Sequence, residues 1–80
     1  MQQKTVLITG CSSGIGRATA LAFNDEGWTV YATARDLDDI ATLEDAGCEI
    51  DRLDVTNQDD IDRVVDRMLD EAGVISCLVN

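Results

Sequence analysis

The residues best suited to chemistry lie in Thr9-Gly10-Cys11-Ser12-Ser13-Gly14-Ile15-Gly16. Three glycines let other groups approach the backbone closely, and Ser12 and Ser13 add hydroxyl donors beside its N–H groups. A strand leading through such a turn into a helix aims those N–H groups at an anion with several oxygens. That is chemistry for holding a pyrophosphate, not for breaking a bond. Gly10 allows a sharp turn off the strand, Gly14 permits close approach of the phosphates, and Gly16 lets helix and strand pack tightly. The bland alternative is a tight strand–helix turn that holds no ligand.

Other glycine motifs fit less well. A P-loop needs Gly-Lys-[Ser/Thr], yet Ile15 and Gly16 follow Gly14. The G-x-G-x-x-G pattern fails because Thr19 stands where Gly or Ala is expected. Cys11, Cys48 and Cys77 form no C-x-x-C pair and the chain has no histidine, so neither a disulfide framework nor a zinc site is supported. Cys48 and Cys77 read as small buried residues, and Cys11 as a small side chain in the glycine loop without a redox role.

The elements that must position the loop follow from the apolar pattern. Thr5-Val6-Leu7-Ile8-Thr9 belongs to a first strand over Lys4 to Thr9, and a helix runs from near Ser13 to Gly27. Thr29 to Ala34 is β-branched and aromatic enough for a second strand. Asp36 then caps a helix that carries Asp39 at N3, turns Leu37, Ile40 and Leu43 inward, and ends at Gly47. Glu49 to Leu53 is a short third strand.

Thr56 caps the clearest helix, whose Ile61, Val64, Val65, Met68, Leu69 and Ala72 form one apolar stripe. On its polar face Arg63 follows Asp59 by four residues and Arg67 precedes Glu71 by four, a spacing for weak ion pairs. Gly73 closes that helix and Val74 to Val79 begins a fourth strand. Strands alternating with helices predict an α/β, Rossmann-type, doubly wound parallel sheet with strand order 3-2-1-4. The last helix must then cover the opposite face.

Eighty residues make at most one small domain, and 45% hydrophobic content argues against wholesale disorder. Sixteen acidic residues against six basic ones give a net charge of −10; twelve of the acids are Asp, and Lys4 is the only lysine. Such a surface repels nucleic acid and anionic membranes. It suits a salt-rich cytoplasm, where screening removes self-repulsion, although an ordinary acidic protein with solvated helix faces has the same composition. The apolar runs are too short to span a bilayer and no charged-then-apolar leader opens the chain, so the expected location is the cytoplasm.

With Thr9 before it, the Gly-x-x-x-Gly-x-Gly spacing resembles the classical short-chain dehydrogenase/reductase family. The resemblance implies that Gly10, Ser12, Ser13, Gly14, Ile15 and Gly16 hold the cofactor's pyrophosphate. At the end of the second strand it places Ala34 where an acid would bind the ribose of NAD(H), with Arg35 next. A carboxylate would repel a 2′-phosphate, whereas a guanidinium can pair with it bidentately, so NADP(H) is expected over NAD(H). Arg35 could instead solvate the strand end or pair with Asp38 or Asp39, and Asp36 could reach the ribose if the loop shifts. Asp54-Val55 resembles the pair that holds the adenine, and Cys77-Leu78-Val79-Asn80 the start of the L-V-N-N-A-G strand end, with Asn80 near the ribose.

The family's catalytic serine and its Y-x-x-x-K pair find no match; Tyr31 is a strand residue followed four positions on by Arg35. The chain therefore reads as the N-terminal, cofactor-binding part of a single Rossmann domain, with a fourth strand left uncovered. The implied whole is a homo-oligomeric oxidoreductase acting on an alcohol or carbonyl substrate, and the eighty residues alone are expected to be inactive. A non-catalytic NADP(H)-binding module, or a fragment without function, remain as alternatives.

Overall fold

The computed structural model describes residues 4–79. Its elements are β1 (Thr5–Ile8), α1 (Gly14–Asp25), β2 (Thr29–Ala34), a 3-10 turn (Leu37–Ile40), α2 (Ala41–Asp45), β3 (Glu49–Arg52), α3 (Gln58–Glu71) and β4 (Cys77–Val79). All strand pairs are parallel and the order is β3-β2-β1-β4. In the central register Leu7 lies opposite both Tyr31 and Leu78, and Ile8 opposite Ala32 and Val79. This is the expected Rossmann-type order.

Because side chains alternate across a strand, the sheet builds two cores. Val6, Ile8, Val30 and Ala32 face one way, into a cluster with Ala20 of α1, Ile40, Leu43 of α2 and Cys48. Leu7 and Tyr31 face the other way and pack with Leu53 and with Val64 and Met68 of α3. The helices therefore lie on both faces, α3 opposite the other two. Each fully buried Val, Leu or Ile contributes about 1.5–3 kcal/mol relative to an exposed one. No helix among the described residues is long and apolar enough to cross a membrane.

Three local expectations are corrected. The cap of α3 is Asn57, whose Oδ1 accepts from the N–H groups of Asp59 at 3.0 Å and Asp60 at 3.3 Å. Thr56 cannot serve, because its N–H and hydroxyl both donate to Asp54 Oδ1, at 2.9 and 2.6 Å. The helix after Asp36 divides into the 3-10 turn and the five-residue α2. Its Ile40 and Leu43 are buried as expected, but Leu37 is exposed. Finally, Arg63 passes over Asp59 and pairs with Asp51 at 2.7 Å and Asp60 at 3.9 Å, while the expected Arg67–Glu71 pair forms at 3.2 Å.

Those arginines fasten the edge strand. Arg67 Nη1 donates to Ile50 O at 2.9 Å and Asp51 Oδ2 at 3.1 Å, and its Nη2 reaches Glu49 Oε2 at 3.1 Å. The guanidinium lies 5.4 Å from the centroid of the Tyr31 ring, whose hydroxyl donates to Glu71 Oε1 at 2.8 Å. Burial pushes the Asp51 carboxyl up, but hydrogen bonds from Arg63, Arg67 and the Arg52 N–H outweigh it and hold the group below its ordinary value.

Candidate functional site

The glycine loop is set by backbone sterics. Gly10 has φ +67°, a left-handed conformation that a side chain would strain. Ser13 caps α1: its Oγ donates to Gly10 O at 2.9 Å and accepts from Gly16 N at 3.2 Å. Its hydroxyl proton is thereby committed to the Gly10 carbonyl, and Ser12 and Ser13 are both exposed. Gly14 and Ile15 open the helix, where N–H groups have no carbonyl one turn back and form an anion-binding end.

The glycines differ in what surrounds them. A Cβ on Gly16 would collide with the Gly10 carbonyl and lie 3.1 Å from Cys11 Cα, so this position seals helix against loop. A Cβ on Gly14 would meet nothing within 4 Å. That open space is where a ligand could approach the backbone. Ile15 projects beside it, 84% exposed. Cys11 points inward, with its N–H on Thr33 O at 2.9 Å and Sγ 3.4 Å from Ile8 O. Burial pushes its thiol pKa up, which leaves little thiolate for chemistry.

Two adjoining grooves meet at this loop. One, of about 490 Å³, runs from Gly10, Ser12 and Ser13 past Ala34, Arg35 and Asp36 to Asp54 and Val55. The other, of about 360 Å³, is lined by Thr9, Ile15, Gly16 and Val79 and shares Gly10, Ser13 and Val55 with the first. Both lie at the carboxyl ends of the strands, where open parallel sheets bind ligands. Their sizes fall within the range of small-molecule sites.

The charges in the first groove are mixed. Arg35 is exposed at the end of β2, and among the described residues no ion pair joins it to Asp36, Asp38 or Asp39. Asp36 has Oδ1 committed to the N–H of Asp38 at 3.0 Å. Hydrogen bonds from the Thr56 hydroxyl and N–H, together with the positive charges of Arg35 and Arg52, hold the Asp54 carboxyl below its ordinary value. Asp54 is thus an anion at neutral pH, with Val55 exposed beside it.

The two adjoining grooves bring together Gly10, Ser12, Ser13, Ile15, Gly16, Arg35, Asp54 and Val55, whereas Gly14 lines neither and lies exposed between Ser13 and Ile15. Asn80 lies outside the described residues. One residue of this neighbourhood escaped the sequence reading: Asp60, 5% exposed, whose Oδ2 accepts from the Asp54 N–H at 3.1 Å. Its signal was its place at N3 of α3, a position from which a carboxylate reaches back to free N–H groups.

The arrangement suits a ligand with phosphates at the loop, a charged group near Arg35 and a flat ring against Asp54 and Val55. The described residues offer no activated nucleophile beside it. Tyr31 lies on the α3 face, bonded to Glu71, with its pKa pushed up to about 12 by burial and that carboxylate.

Comparison with known proteins supplies the family. A family model for short chain dehydrogenases matches residues 4–80. A short-chain dehydrogenase/reductase of Pestalotiopsis microspora is 52% identical over 60 residues, which is 74% of this chain and 22% of that protein. The NADPH-dependent 1-acyldihydroxyacetone phosphate reductase of Schizosaccharomyces pombe is 49% identical over 63 residues, 78% of this chain and 21% of that protein. The crystal structure of a short-chain dehydrogenase from Streptomyces avermitilis superposes with a TM-score of 0.91 at 40% identity, covering 99% of this chain and 30% of that one. The chain thus spans about a fifth of the length of those two curated relatives. With strand order, glycine loop and sequence in agreement, this chain belongs to the short-chain dehydrogenase family.

Proposed function

We propose that these residues form the NADP(H)-binding part of an oxidoreductase that transfers hydride between that cofactor and an alcohol or carbonyl substrate. They make up the N-terminal part of a single dinucleotide-binding domain. Its serine, tyrosine and lysine for acid–base work lie elsewhere in the whole protein, and the eighty residues alone do not turn over. The working protein is a homo-oligomer of the cytoplasm, and its negative charge keeps nucleic acid and anionic membranes away.

The observation that carries the cofactor preference is Arg35, exposed on the groove wall with buried Ala34 where an acid would otherwise stand. Each part of the site has a distinct task. The N–H groups at Gly14 and Ile15 hold phosphate oxygens, Gly14 leaves room for them, and Arg35 pairs with a 2′-phosphate. Asp54 accepts from the adenine amino group, and Val55 flanks the base. The bound nicotinamide supplies the hydride chemistry. The name of the fission-yeast relative, an NADPH-dependent reductase, agrees with this preference.

The test is the ratio of NADPH to NADH affinity, measured by fluorescence titration. The wild type should favour NADPH at least tenfold, and Arg35→Ala should bring the two affinities together by weakening NADPH alone. Comparable wild-type affinities, or unchanged discrimination in Arg35→Ala, would defeat the proposal.

A further inference from the structure

We infer that Asp60 is a positioning residue for the adenine end of the cofactor site, acting through the backbone of Asp54. The inference rests on the cofactor reading above. Asp60 sits at N3 of α3, and its side chain is 7% exposed although it is charged. A buried carboxylate persists only where its oxygens are partnered. Here both are. Oδ2 accepts from the Asp54 N–H at 3.1 Å, and Oδ1 accepts from Arg52 Nη2 at 3.2 Å, with Arg63 Nη2 at 3.9 Å.

The geometry makes a bracket across the turn that bears the proposed adenine contacts. Asp54 closes over Thr56 on one side through its own carboxylate, and its main chain is tied to α3 on the other by Asp60. β3 ends at Arg52, so Leu53 to Thr56 has no ladder beyond the Leu53 N–H bond to Ala34 O at 2.8 Å. The Asn57 N–H holds the Asp54 carbonyl at 2.9 Å, and the Asp60 carboxylate adds a second fixed point at the Asp54 N–H. Asp54 and Val55 line the same groove as Arg35, so a shift of this turn changes the distance from base to phosphate site. A charge-assisted bond to a backbone N–H is short and directional, which suits a positioning part.

Binding of two cofactor fragments to the whole protein separates this role from a general contribution to stability. The fragments are adenosine 2′,5′-bisphosphate and reduced nicotinamide mononucleotide. Asp60→Ala should weaken the adenosine fragment about tenfold and leave the nicotinamide fragment unchanged. Asp60→Asn keeps an acceptor for the Asp54 N–H and should recover most of the loss. Val30→Ala, whose buried side chain lies in the core on the other face of the sheet and lines neither groove, serves as the stability control: it should lower the melting temperature without moving either affinity. Equal weakening of both fragments by Asp60→Ala, or a lower melting temperature with both affinities intact, would overturn the inference alone. A wild type that binds neither fragment would overturn the cofactor reading and this inference with it.

Discussion

Tyr31 shows how one side chain can be spent wholly on structure. It occupies the middle of β2, faces α3, and is 2% exposed. Its ring meets the Arg67 guanidinium and its hydroxyl meets Glu71, so it joins the central sheet to the same arginine that fastens β3. Burial first, and then the Glu71 carboxylate, raise its pKa from 10.0 to about 12. A phenol whose folded pKa lies above its unfolded one contributes stability that is complete below about pH 10 and is lost as pH rises towards about 12. Since Tyr31 is the only tyrosine, its tyrosinate absorbance reports it directly. The native protein should titrate near pH 12 and the denatured chain near pH 10, and Tyr31→Phe should abolish this share of the alkaline destabilisation. A native midpoint at the denatured value would show that the hydroxyl is solvated.

At the scale of elements, the contrast between Gly14 and Gly16 separates folding from binding. Gly16→Ala drives a methyl into the Gly10 carbonyl, so α1 must lift from β1; overpacking of this kind costs about 1–3 kcal/mol. Gly14→Ala meets open space at a backbone φ that is not positive, so stability should hold or rise by about 0.4–1 kcal/mol. If phosphates approach there, it should nonetheless weaken NADPH about tenfold, or about 1.4 kcal/mol. Chemical denaturation and cofactor titration of the two variants check both halves; normal NADPH affinity in Gly14→Ala would remove the phosphate role. The order and type of the elements were readable because β2 is a β-branched run and α3 an unbroken apolar stripe, patterns that depend only on the local chain. The cap of α3 was not, since Thr56 and Asn57 are both good caps and Asp54 decides between them by taking the threonine. Nor were the partners of Arg63 and Arg67 on β3, which become neighbours only when the sheet assembles. The same holds for Asp60, whose task depends on where the Asp54 backbone lies.

For the molecule as a whole, the distribution of charge fixes the response to salt. The ion pairs among the described residues engage only Glu49, Asp51, Asp60 and Glu71 of the sixteen acids. On the outer face of α3, Asp59, Asp62, Asp66 and Asp70 follow one another at helical spacing and are all exposed. Each such like-charge neighbour costs about 0.2–0.5 kcal/mol. Raising the salt from 0.1 to 1 M shortens the screening length from about 10 to about 3 Å. The contacts at 2.7 to 3.2 Å lie at or inside the shorter length, whereas repulsion between acids farther apart is removed. With a net charge of −10 the second effect is the larger. The melting temperature should therefore rise by several degrees between low and molar KCl, since 1 kcal/mol moves a domain of this size by about 4–8 °C. Asp62→Asn combined with Asp66→Asn should raise it in low salt and leave it nearly unchanged in molar KCl, because screening has already removed what the substitutions remove. Equal melting at both salt concentrations would mean that the acids are too far apart to repel, and their abundance would then have no bearing on stability.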